Sequence, residues 1–323
     1  MKPHTQYLII FFIFCCATTS FAKVTDFAGF FMPDSVNEVT IRYKKIQNLI
    51  ILPVVINDSI KLNLVLDTGC RNLILFGKKL TKLFNMHPTK MVEFSGLGAG
   101  RAVNGRISLG NKVSIGAVLG KHIPIVVVPN QNLFGVYPNV DGIIGYDVFI
   151  KFEIEFSHTL QSIIFRPAMN AELDESFTKI PITVHDSKAM VKSTIFFEGQ
   201  DAYTLNLVID TGSSLGLLVK TMDHSLFPVK GGLSVLGRGL NGLVEGFQAD
   251  TRKILLDDVE ILGSQTGIMY SPWPDQGSIG MAVLGKYCFV LNYCKGYIGL
   301  KRDAIAVNSP GHRTQKPRPV RYF

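Results

Sequence analysis

Along most of the chain, apolar residues either alternate with polar ones or run unbroken over short stretches. Gly, Asn, Asp and Pro close these stretches. Runs of about four to eight residues rich in Val, Ile, Leu and Phe between turn residues predict strands. "PVVINDSIKLNLVLD" from Pro53, "FIKFEIEF" from Phe149 and "FVLNYCKGYIGLKR" from Phe289 are of this kind. Long helical patterns are scarce. Short helices are expected near residues 77–84, 146–151 and 285–289. The expected class is all-β with a few short helices.

The pattern also repeats. "LNLVLDTGC" occupies residues 62–70 and "LNLVIDTGSS" residues 205–214. Aligned on Asp-Thr-Gly, each half carries a glycine-spaced loop, at 96–105 and 236–246. Each also carries an apolar-apolar-Gly triplet at similar distance, "IIG" at 143–145 and "VLG" at 283–285. A β-type run beginning with Pro precedes each phrase, from Pro53 and from Pro181. Residues 166–179 are polar and acidic, lack the period-2 pattern and read as a junction. The expected division is a targeting segment over 1–22, lobes over 23–168 and 169–301 related by a pseudo-twofold axis, and a basic tail over 302–323.

Composition changes this picture little. With 47% hydrophobic and 18% charged residues, the 323-residue chain can bury a core and is not of the disordered class. Much of the net charge of +8 sits after residue 300, so the body is only mildly basic and no nucleic-acid partner is expected. Lys2 and His4 precede the apolar run "YLIIFFIFCCA", and "SFA" at 20–22 suits a signal peptidase. Cleavage after Ala22 and export to a periplasm or the exterior are expected. The alternative is an uncleaved segment acting as an anchor, although the run is short for a bilayer span. Past this segment the chain has Cys70, Cys288 and Cys294, which is no disulfide framework. A single 288–294 bridge stays open.

A carboxylate at the end of a buried strand is costly unless its surroundings use it. If the loops after "LVLD" and "LVID" meet at a pseudo-twofold axis, two carboxylates face each other and share one proton. The ionised acid can take a proton from water, and the protonated one can give a proton to a carbonyl oxygen. On these residues the chain resembles the aspartic proteases, with D-T-G in both halves as in two-lobed pepsin-like enzymes and with short, closely similar lobes in the style of retroviral-type ones. The resemblance covers roughly residues 45–301 and implies a bilobal acid-protease fold, an endopeptidase acting on extended polypeptide, and a chain that works as a monomer without cofactor or metal.

The resemblance further implies Asp67 and Asp210 as the dyad, with Thr68 and Thr211 locking the loops and Gly69 and Gly212 giving the turns. Ser213 stands where the family often places a hydroxyl that bonds the neighbouring acid. Its first-half equivalent, Cys70, is only a weak donor, so the acids are expected to be unequal. The triplets at 143–145 and 283–285 correspond to the element crossing beneath each loop. Gly98, Gly100, Gly237 and Gly239 lie in hairpins that can act as flaps over substrate. The first loop, "FSGLGAGRAVNGRI", lacks the Tyr of pepsin-like flaps. Other motifs carry less. "GSSLG" at 212–216 matches a nucleophile elbow around Ser214 but lacks βα units. "GLGAGR" has Arg101 where a dinucleotide fingerprint needs Gly. Trp273 reads as a residue that pins a loop. A catalytically inactive binding or inhibitor protein of the same fold is the alternative function.

Overall fold

The computed structural model describes residues 27–94, 96–129, 139–226, 232–271 and 276–302. The targeting segment, Trp273 and the tail from residue 303 lie outside these residues.

Each half builds a nine-stranded sheet, and the wiring around the Asp-Thr-Gly turn is the same in both. In the first, the strand Ile60–Leu66 leads into Asp67. Antiparallel Leu49–Ile56 flanks it on one side and parallel Gly142–Ile144 on the other. Gly142–Ile144 in turn runs antiparallel to Leu73–Phe76. In the second, Ala202–Asp210 lies between Lys188–Phe197 and parallel Gln276–Gly280, which pairs antiparallel with Leu217–Thr221. A strand paired on both sides has all its backbone groups satisfied, so its end can carry a side chain at a fixed position.

The period-2 pattern sorts residues between two faces of the first sheet. Ile50, Leu52, Leu64, Leu66, Leu73, Leu75, Val127 and Ile144 enter the main core. Their alternates Leu49, Ile51, Val65, Ile74, Phe76, Val126, Val128 and Ile143 form a separate buried cluster on the opposite face. This double burial explains why the strands read as nearly unbroken apolar runs.

A six-stranded sheet joins the halves, in the order Thr178–Pro181, Tyr297–Arg302, Tyr287–Asn292, Phe152–Ser157, Ser162–Pro167, Val39–Arg42. Its left and right triplets correspond, and the pseudo-twofold passes between Phe152–Ser157 and Tyr287–Asn292. There Ile154 faces Leu291, and Phe156 stacks on Phe289 at 4.2 Å between ring centroids. Glu153, 1% exposed, is buried in this joint; it accepts hydrogen bonds from Asn292 Nδ2 at 3.2 Å and from the Tyr297 hydroxyl, and Arg166 lies 3.8 Å away. The architecture is all-β with two lobes.

Four expectations need correction. Helical turns form at Leu80–Lys82 and Tyr146–Phe149, but the third helix is Met281–Leu284, ahead of the expected 285–289, which instead enters the strand Tyr287–Asn292. The second crossing triplet is accordingly not Val283-Leu284-Gly285. Ser278-Ile279-Gly280 runs parallel to the Asp210 strand, as Ile143 and Ile144 run parallel to the Asp67 strand. The two Pro-led runs are not equivalent either, because Pro53 lies within Leu49–Ile56 whereas Pro181 closes a strand of the joining sheet. Residues 166–179 are also partly strand, with Ser162–Pro167 and Thr178–Pro181 reaching into them. Cys70, Cys288 and Cys294 are free thiols.

Candidate active site

The two Asp-Thr-Gly turns are built alike. Asp67 donates its N–H to Ile144 O at 2.9 Å, and its carbonyl accepts from Cys70 N at 3.3 Å. In the second half Ser213 N donates to Asp210 O at 3.3 Å, and Gly280 pairs in register with Asp210. Gly145 and Gly280 lie beneath these turns, where only glycine fits. A Cβ on Gly145 would overlap Cys70 O, and one on Gly280 would lie 2.5 Å from Leu215 O.

Thr68 and Thr211, both fully buried, tie the turns together. Thr68 N donates to Thr211 Oγ1 at 3.0 Å and Thr211 N to Thr68 Oγ1 at 2.9 Å. Each hydroxyl then donates across to the other half, Thr68 to Ile209 O at 2.6 Å and Thr211 to Leu66 O at 2.8 Å. Four bonds thus cross the pseudo-twofold in a closed set, with each hydroxyl both accepting and donating.

This lock brings the carboxyls together. Asp67 Oδ1 accepts from Gly69 N at 2.7 Å, and Asp210 Oδ1 from Gly212 N at 3.1 Å. A Cβ placed on Gly69 would lie 3.1 Å from Oδ1 of both acids, so the two oxygens can be no more than twice that distance apart. A Cβ on Gly212 would overlap the Asp67 carboxyl. Both acids are packed around by neighbouring chain but keep some exposure to solvent.

Their protonation is coupled. Burial is the largest influence on both and pushes both above the usual carboxylate range. The charge of Asp210 and a side-chain hydrogen bond to it raise Asp67 further, while that bond favours the ionised form of Asp210. The Gly69 and Gly212 amides and the cation of Lys188 act in the opposite direction on their acids. Between its two ionisations the pair therefore shares one proton and carries one charge.

Ser213 serves Asp210 through its backbone amide, and its hydroxyl accepts from Leu215 N at 3.3 Å. Cys70 donates to Asn72 O at 3.2 Å, and burial, then Asp67, push its thiol up to about 12, so it stays unreactive. Gly216 is followed by the strand Leu217–Thr221, so "GSSLG" does not form a nucleophile elbow.

The glycine loops meet across the halves. Gly98 N donates to Asn241 Oδ1 at 2.7 Å, Asn241 Nδ2 to Gly100 O at 3.0 Å, and Ala99 N to Leu243 O at 3.1 Å. The approach is so close that a Cβ on Gly98 would lie 2.6 Å from Gly242 O, and one on Gly100 would overlap Asn241 O. Gly239 faces Gly98 N, whereas Gly237 borders open space and takes no part. Leu240, beside the Asn241 latch, packs on the first sheet's separate apolar cluster, to which Cys70 also packs.

Sequence reasoning missed Lys188, Leu240, Asn241 and Tyr293. Tyr293 stacks on Phe149 at 5.5 Å; burial raises its hydroxyl first, and the charges of Asp67 and Asp210 add to this. Lys188 and Asn241 are visible only once strand register and the loop contact are known. The repeat of "LNLV" gives no hint of them.

Comparison with known families now has a structural frame. Residues 52–148 match the family model described as aspartyl protease, a span that runs from within Leu49–Ile56 past Asp67 and Gly145 into the helix Tyr146–Phe149. The match supports an aspartyl protease family and protease activity in general, on an all-β, two-lobed protease fold. No curated protein matches the chain.

Proposed function

We propose that the chain is an aspartic endopeptidase, with Asp67 and Asp210 as its catalytic pair. The observation that carries this reading is the approach of two carboxyls, one from each half, around Gly69 and across the threonine lock. Ionised Asp210 removes a proton from a water held between the acids as that oxygen attacks the scissile carbonyl. Asp67 gives its proton to the carbonyl oxygen, so the tetrahedral intermediate forms as a neutral diol. Asp210, now protonated, passes its proton to the departing nitrogen as the C–N bond breaks, and Asp67 recovers a proton from the diol. One proton is on the pair before and after.

The substrate is an extended polypeptide, which would lie against the glycine hairpins at Gly98 and Asn241 in the manner of an added strand. The loops carrying Gly98 and Asn241 must part to admit it. Export to a periplasm or the exterior, and action as a monomer, belong to the same proposal. Among the described residues no helix is long and apolar enough to cross a membrane.

The test is digestion of an unfolded polypeptide between pH 3 and pH 7 by the protein without residues 1–22, alongside Asp67→Asn and Asp210→Asn. Each substitution is expected to lower cleavage at least about a hundredfold. A parent that cleaves nothing across that range points instead to an inactive binding protein of this fold.

A further inference from the structure

The two halves share their pairing but differ in the residue that stands opposite each acid. In the first, a hairpin turning at Gln47 and Asn48, with φ of 44° and 70°, leads into Leu49. In the second, a hairpin turning at Asp186 and Ser187, with φ of 45° and 68°, leads into Lys188. Leu49 pairs with Ile46 as Lys188 pairs with His185. Further on, Ile51 pairs with Val65 and Met190 with Val208. Two residues along each of these antiparallel pairs place Leu49 opposite Asp67 and Lys188 opposite Asp210. Side chains two apart on a strand share a face, so both stand on the same side of their sheets as the acids. Leu49 is buried in the apolar cluster. Lys188 is half-buried at the matching place, and among the described residues it forms no salt bridge.

We propose that Lys188 is a positioning residue for the dyad: beside Asp210, its ammonium holds the pair's single negative charge there and leaves the proton on Asp67. The chemical need follows from the site. Burial alone drives both acids neutral, and a doubly neutral pair cannot take a proton from water. A nearby cation lets one charge survive in mildly acidic solution, and Lys188 acts in this sense on both acids. The surrounding charges do not replace it. Asp186 and Arg71 pair with each other at 3.8 Å and are exposed, and Asp147 on the first half faces Arg71. His185 lies across the hairpin. Lys220 bonds Gln276 Oε1 at 3.1 Å. Burial, then Lys188, push its amine down.

The test follows the Asp carboxyl carbons by NMR through a pH titration, with Asp67→Asn and Asp210→Asn assigning the two signals. Lys188→Leu copies the first half, and Lys188→Arg keeps the charge. With Lys188→Leu both dyad ionisations are expected to move up by about one pH unit, and with Lys188→Arg to stay with the parent. Lys188→Met serves if the Leu variant does not fold. Coinciding titrations of the parent and the folded Leu or Met variant would overturn the proposal. The kinetic consequence rests on the protease reading: the pH profile of cleavage should shift alkaline by the same amount, with about tenfold less activity on its acid side. A parent without activity defeats that reading, while the titration still decides the role of Lys188.

Discussion

At the scale of the residue, Thr211 holds more than its size suggests. Its hydroxyl accepts from Thr68 N and donates to Leu66 O, both fully enclosed. Thr211→Ala leaves that donor and that acceptor unpaired where water cannot replace the lost partner. The expected cost is about 1–3 kcal/mol for each orphaned group, read from urea unfolding, and Thr211→Ser should recover most of it. The threonines and aspartates were legible in the sequence because their role lies in residue type within a repeated phrase. Lys188 was not. Sequence places it 22 residues ahead of Asp210, and only a two-residue turn and the pairing of three strands bring it alongside. The same holds for Ser213, whose identity pointed to its hydroxyl although its amide makes the contact with the acid.

Among the elements, the two glycine hairpins stand out for what they grip. Asn241 presents its carboxamide to Gly98 N and Gly100 O, the pair of bonds that a peptide group in a neighbouring strand would make. Asn241→Ala should release both while leaving the bond from Ala99 N to Leu243 O. At about 1 kcal/mol for a net hydrogen bond, amide exchange at Gly98 is expected to quicken roughly fivefold, measured by hydrogen–deuterium exchange over residues 96–101. An unchanged rate would mean that the Asn241 carboxamide does not hold the loops together. Glycine spacing disclosed the hairpins, but nothing local disclosed that their tips touch. A similar limit misplaced the second crossing strand. Val283-Leu284-Gly285 looks more like Ile143-Ile144-Gly145 than Ser278-Ile279-Gly280 does, yet the glycine beneath the turn must be the one crowded by Ser213 O and Leu215 O, which is Gly280. Close backbone approach decided the matter, and apolar likeness misled.

For the whole molecule, the six-stranded sheet joins the halves, and the threonine lock holds the dyad across that joint. The duplication was legible because both halves repeat a phrase. The joint was not, because its edge strands Val39–Arg42 and Thr178–Pro181 are short and pair with chain from far along the sequence. Holding two acids together has a cost that depends on pH. Both have folded pKa values above those of the unfolded chain, so the folded state binds more protons and stability falls as pH rises from about 4 through the raised values. Asp67→Asn removes the more strongly raised acid. It is expected to raise the thermal midpoint relative to the parent at pH 8 and to change it little at pH 3, measured by calorimetry. A gain that is equal at both pH values would contradict the coupling.

Leu240 adds a competitor within the molecule. Because it is tethered, it covers the apolar cluster of the first sheet at an effective concentration on the order of millimolar. Any apolar group of another molecule that is to pack on this cluster has to displace Leu240 first, so its apparent affinity is lowered by the fraction of time that Leu240 leaves the cluster uncovered.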